Sequence, residues 1–227
     1  MKKPIYLMAG GREGRNTEII MKKIFAELSK PPIIAYLGAA SEDNRMFYER
    51  ISHMITGAGK CKVVLAPTYA KNADMEKTKE VLNSADAIFV SGGDVEAGMK
   101  VLQDKGVTGL LHDLYINGKL FFGSSAGSIM MAREWVRWRD PDDDSTAELF
   151  PCLGLAPVLC DTHAEADDWE ELRAALKLEK EGITGYGITT GACLTVFPDG
   201  RVEALGGAVS RYIHEGETVR KQADLVP

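Results

Sequence analysis

Leu120-Phe121-Phe122-Gly123-Ser124-Ser125-Ala126-Gly127-Ser128-Ile129-Met130-Met131-Ala132 decides how the chain is read. An apolar strand runs into a G-x-S-x-G pentapeptide and leaves it as a small-residue helix, the setting a nucleophile elbow requires. Gly123 and Gly127 let the strand and helix backbones pass closely, and the sharp turn lifts Ser125 Oγ clear of the sheet. The start of the helix favours developing negative charge, and the Ala126 amide is placed to donate to an oxyanion. Ser125 is the candidate nucleophile; a Gly/Ser-rich turn without chemistry is the plainer alternative.

Upstream, short apolar runs alternate with amphipathic stretches. Pro4–Ala9, Ile33–Leu37, Cys61–Ala66, Ala87–Val90 and Lys119–Gly123 read as strands bounded by Gly or Pro. Thr17–Leu28, Asn44–Ile55, Ala73–Leu82 and Asp94–Leu102 carry apolar residues at helical spacing. That order predicts parallel strands joined by right-handed crossovers, helices on both faces, and ligands at the carboxyl ends of the strands. Downstream the rhythm changes. Leu153–Leu159 reads as a strand, Asp167–Glu179 as a helix, and Gly185–Thr189, Cys193–Phe197 and Val202–Leu205 as a β-meander turning at Pro198-Asp199-Gly200. The expected fold is α/β: a three-layer sandwich, mostly parallel, with an antiparallel C-terminal extension, in a single domain over residues 1–227.

Composition narrows the partners. With 45% hydrophobic and 26% charged residues, collagen-like, coiled-coil and disordered chains are excluded. The net charge of −6, without a basic stripe, argues against nucleic acid or an anionic membrane as partner. No run approaches the ~18 apolar residues of a membrane span. The run after Lys2-Lys3 is too short for a signal peptide and ends in Gly10-Gly11. Cys61, Cys152, Cys160 and Cys193 are scattered and form no zinc pattern, so reduced thiols and a cytoplasmic location are expected. No metal is expected, and monomer and homodimer both remain open. Gly10-Gly11-Arg12-Glu13-Gly14 fails the spacing of a dinucleotide fingerprint and reads as a βα turn.

Ile88-Phe89-Val90-Ser91-Gly92-Gly93-Asp94 ends a buried strand in two glycines and a good helix N-cap. Amides exposed there would supply a second oxyanion donor, and Gly92 and Asp94 would border the substrate. Of the four histidines, His53 and His112 fall in helical patterns, and His214 lies in an Arg- and Glu-rich C-terminal stretch. His163, in Cys160-Asp161-Thr162-His163, sits at a strand's carboxyl end on the rim of Ser125, where a general base belongs.

These segments resemble the peptidase E and cyanophycinase family of serine peptidases over residues from about 5 to 210. The match rests on the Gly92-Gly93 strand end, the elbow Gly123–Gly127 and Asp161-Thr162-His163. The resemblance implies a flavodoxin-like, class I glutamine amidotransferase-like fold, with Ser125 as nucleophile and His163 as base. It implies oxyanion donors at the Gly93 and Ala126 amides and cleavage of Asp-X dipeptides or isoaspartyl bonds without metal or organic cofactor. Two departures stand out. Where the family carries Gly-Ile-Asp-Glu-Gly-Thr-Ala, whose Glu is a candidate triad member, this chain has Gly187-Ile188-Thr189-Thr190-Gly191-Ala192-Cys193, with Thr190 at the Glu position. The orienting carboxylate is then Asp140, where the resemblance to peptidase E places a triad aspartate, or Asp161. The family's basic cluster after the histidine is replaced by Ala164-Glu165-Ala166-Asp167-Asp168-Trp169 and then Arg173. Arg173, Arg137 and Arg139 remain as carboxylate ligands, and Trp135, Trp138 and Trp169 as possible walls. The alternative function is a catalytically weak or inactive binding protein of the same fold. A glutamine amidotransferase proper ranks third, because no cysteine stands at the elbow.

Overall fold

The computed structural model describes residues 1–11, 15–28 and 31–227, with Arg15 described for its backbone alone. The chain runs β1 (Ile5–Met8), α1 (Arg15–Ala26), β2 (Ile33–Leu37), α2 (Arg45–Ala58), β3 (Lys62–Ala66), α3 (Met75–Ser84) and β4 (Ala87–Val90). It continues through α4 (Val95–Asp104), α5 (Thr108–Ile116), β5 (Leu120–Ser124), α6 (Ala126–Met131), β6 (Glu134–Trp138) and β7 (Ala147–Pro151). Then follow β8 (Leu159–Thr162), α7 (Glu170–Leu178), β9 (Thr184–Ile188), β10 (Cys193–Val196), β11 (Val202–Leu205), β12 (Val209–Glu215) and β13 (Thr218–Leu225).

Seven strands form the main sheet in the order β11-β10-β1-β5-β4-β2-β3. The five from β1 to β3 in that order are parallel, while β10 and β11 are antiparallel additions. The two-residue period of a strand explains the layers. Tyr6, Met8, Ile34, Tyr36, Phe89 and Phe122 point to one face and pack on Ile20, Ile24, Phe25 and Ile55 of α1 and α2. Ile5, Leu7, Leu37, Ile88, Val90 and Phe121 point to the other, against Met99 and Leu102 of α4, Leu111 of α5 and Met130 of α6. Strands apolar at every position are what a sheet covered on both sides requires.

The C-terminal part differs from the sequence expectation. The strand expected at Leu153–Leu159 lies at Leu159–Thr162, and residues 153–158 are irregular. Helix α7 is shorter than expected and is preceded by a 3₁₀ turn at Glu165–Asp167. The expected meander is split: β10 and β11 extend the main sheet, whereas β9 joins a second sheet, β13-β12-β9-β8. The acidic stretch Asp140–Asp144 lies in the connection of the β6–β7 hairpin.

Candidate active site

The carboxyl ends of β1, β4, β5 and β8 meet at one rim, and the chain order reverses there between β1 and its neighbour β5. Such a switch point opens a crevice. Ser125 caps α6 with φ 55° and ψ −128°, a backbone conformation that costs a non-glycine residue roughly 1–3 kcal/mol. The surroundings hold it there: its amide donates to Met8 O (2.9 Å), and Ser128 Oγ donates to the same carbonyl (2.8 Å). Gly127 is needed for close approach, because a Cβ at that position would lie 2.1 Å from Val90 O.

Ser125 Oγ lies 2.7 Å from His163 Nε2. His163 follows β8 directly; its amide donates to Ile188 O (2.9 Å), and its φ of 46° turns the chain out of the strand. With Oγ donating to Nε2, the histidine proton resides on Nδ1, and the pair can pass a proton from hydroxyl to imidazole. Gly93, at φ 144°, closes the turn after β4 so tightly that a Cβ would fall 1.9 Å from Ala40 O. Among the described residues neither the Gly93 nor the Ala126 amide donates a backbone hydrogen bond, so both are free to serve a ligand. Gly92 lies against Ser125, where a Cβ would stand 3.2 Å from the serine Cβ.

Two hollows flank the pair. A cavity of about 670 Å³ opens on the α2 side, walled by Met8, Phe47, Ile51, Met54 and Phe89 and floored by Gly92, Ser124, Ser125 and His163. Arg50 also lines it, with its guanidinium 5.6 Å from the Phe47 ring centroid. A smaller cleft of about 320 Å³ lies on the α7 side and is lined by Asp94, Trp135, Asp161, Asp167 and Glu171 together with Ser125 and His163. Asp94 also caps α4, accepting from the Ala97 amide at 2.7 Å.

Neither expected orienting carboxylate meets the histidine. Asp140 sits in the β6–β7 connection, accepting from the Asp142 amide (3.1 Å). Asp161 accepts from the Thr162 amide (2.7 Å) and lies on the β8 face that carries Leu159 toward α7. The expectation that Asp161 and His163 point the same way holds for extended chain, and the positive φ of His163 breaks it. Thr190 is held by Glu165, which accepts from both its amide and its hydroxyl.

Two expected substrate ligands are also displaced. Arg173 pairs with Asp168 (2.6 Å) and lines a separate cleft with Trp138, Glu170 and Lys177. Trp169 is buried with Leu172 and Leu176 over Gly187, where a Cβ would lie 2.5 Å from the indole. Arg137 and Arg139 are engaged by Glu148, and Arg137 also by Glu96. His53, His112 and His214 lie on α2, α5 and β12, and none lines either hollow. The sequence reading missed the α2 wall, although Phe47, Arg50, Ile51 and Met54 at helical spacing carried its signal. Arg12, Glu13 and Gly14 of the glycine-rich opening lie outside the described residues.

A layered α/β fold with an elbow serine hydrogen-bonded to a histidine is the arrangement of a serine hydrolase. The pattern of peptidase family S51 matches residues 5–203, and the chain belongs to that family. It is similar in structure to a peptidase from an acI-B1 Actinobacterium, with a TM-score of 0.73 at 14% identity, covering 100% of this chain and 98% of the other. It is also similar to a putative peptidase E protein from Listeria monocytogenes EGD-e, with a TM-score of 0.63 at 15% identity, covering 90% and 98%. Comparison with curated proteins gave no match. No helix among the described residues is long and apolar enough to cross a membrane.

Proposed function

We propose that the protein hydrolyses an amide bond of a small peptide through an acyl-enzyme on Ser125. The observation that carries the reading is the 2.7 Å contact between Ser125 Oγ and His163 Nε2 at a strained elbow. Ser125 Oγ attacks the scissile carbonyl while His163 Nε2 takes its proton. The amides of Gly93 and Ala126 hold the oxygen as it becomes negative. Collapse of the tetrahedral intermediate breaks the C–N bond, and the departing amine takes the proton from His163. A water, deprotonated by the same imidazole, then releases the acid and restores Ser125. The two hollows on either side of the serine suit a short substrate.

A catalytically weak binding protein is the second reading. It is favoured by one observation: among the described residues no hydrogen bond reaches His163 Nδ1. Loss of the orienting carboxylate lowers kcat by about 10⁴ in serine proteases. Intact-mass analysis after treatment with a fluorophosphonate separates the two. A single adduct, absent from Ser125→Ala and strongly slowed in His163→Ala, supports the hydrolase. No adduct on folded wild-type protein would favour the binding protein.

A further inference from the structure

The cleft on the α7 side of Ser125 gathers negative charge without an answering cation. Asp94, Asp161, Asp167 and Glu171 line it, together with Trp135, and among the described residues no lysine or arginine does. Among the described residues none of the four carboxylates takes part in an ion pair. Three are partly served by neutral donors: Asp94 by the Ala97 amide, Asp167 by the Trp169 amide and Glu171 by Trp135 Nε1. Asp161 Oδ1 likewise accepts from the Thr162 amide, but the residue is 4% exposed and its Oδ2 has no hydrogen-bond partner.

A buried, half-satisfied carboxylate among other carboxylates is costly, and such arrangements cluster at functional sites. Burial is the main cause of its raised pKa; Glu171 and Asp167 push the same way, offset in part by the amides of Thr162 and Leu172. A metal ion does not answer this charge: among the described residues no three His, Cys, Asp or Glu side chains converge as ligands. An organic ammonium does, because it can donate to one carboxylate, feel the others through space, and lie against the Trp135 ring.

We propose that this cleft seats a primary ammonium group of the substrate, on the residue whose carbonyl Ser125 attacks. The proposal rests on Ser125 being the nucleophile. The ammonium is either a free amino terminus or a lysine-type side chain; both offer the same chemistry to Asp161. An aspartate side chain would face four carboxylates here, so an acidic substrate residue of the kind implied by the family resemblance would have to place its side chain outside this cleft. Arg173, the expected partner for such a side chain, is occupied elsewhere.

The test measures how four amides protect Ser125 from a fluorophosphonate at neutral pH. L-Norleucinamide carries only the α-amine, Nα-acetyl-L-lysinamide only the side-chain amine, L-lysinamide both, and Nα-acetyl-L-norleucinamide neither. At least one amine should protect at about tenfold lower concentration than the neutral amide, as a charge-assisted hydrogen bond implies. The first two compounds identify which amine is read. Within Asp161→Asn that ratio should fall toward one, and Glu171→Gln should lower it if the first variant does not fold. Equal protection by all four amides, or a ratio that survives both substitutions, would overturn the proposal while leaving the nucleophile intact. If Ser125 takes no label, the hydrolase reading fails instead. Calorimetric binding of the same amides then decides the cleft, with preferential binding of the amines supporting it and equal or absent binding overturning it.

Discussion

Replacing Asp161 by asparagine should stabilise the fold, and increasingly so as the pH rises. In the folded protein its carboxyl is pushed up to about 7 from 3.8, chiefly by burial, with Glu171 and Asp167 adding to the shift. Between those two values the unfolded chain has lost this proton while the folded protein still holds it. Folding is then linked to proton uptake, so stability falls as the pH climbs through this window and levels off above the folded value. At about 1.4 kcal/mol per pKa unit the full cost approaches ~4 kcal/mol. Some of it has already accrued at pH 5, so the change from there to pH 8 is about 2–3 kcal/mol.

Asparagine keeps the shape and carries no charge to desolvate. Urea unfolding of wild type and Asp161→Asn at both pH values gives the difference directly, because every other titrating group contributes nearly equally to both proteins. The advantage of the variant should widen by about 2–3 kcal/mol between pH 5 and pH 8. A gap that stays flat would refute the argument, since it would mean that the carboxylate ionises without penalty where it stands.

Three further outcomes follow from the geometry. Gly127→Ala forces a methyl group against Val90 O and should cost about 3 kcal/mol in urea unfolding, with slower Ser125 labelling; unchanged stability would contradict the close approach. Trp169→Ala removes a buried side chain packed with Leu172 and Leu176 and should lower stability by about 3–5 kcal/mol, read from the unfolding midpoint. Arg173→Ala breaks only a partly exposed pair with Asp168 and should change kcat/KM by less than about twofold; a large rise in KM would return Arg173 to the substrate site.

The main sheet was legible because each parallel strand is an uninterrupted apolar run, the signature of burial on both faces. Residues such as Ile34 to Leu37 and Ala87 to Val90 leave no other reading. The second sheet was not. β13 is largely exposed and polar, and β9 is rich in glycine, so neither presents a run whose partner can be inferred. At the site, Ser125 and His163 could be paired from their places at strand ends. Asp161 was found but its direction was misread, because strand parity stops at a residue with positive φ. Arg173 was assigned by its distance from His163 in sequence. Helical spacing sets it at the edge of the face shared by Trp169, Leu172 and Leu176, and its pairing with Asp168 could not be read from that spacing.

Ser125 follows a strand of the seven-stranded sheet, whereas His163 follows a strand of the four-stranded one. The contact between their side chains therefore joins two sheets that share one buried core. Around it, Cys160 Sγ approaches Ser128 O (3.9 Å), and the amides of Arg133 and Leu153 bond to Val158 O and Met130 O. A slip of one ångström between the sheets would leave both backbones hydrogen-bonded yet part the hydroxyl from the imidazole. Serine reactivity is thus a ruler for sheet docking, and on warming it should fade before far-ultraviolet circular dichroism registers any loss of strand or helix.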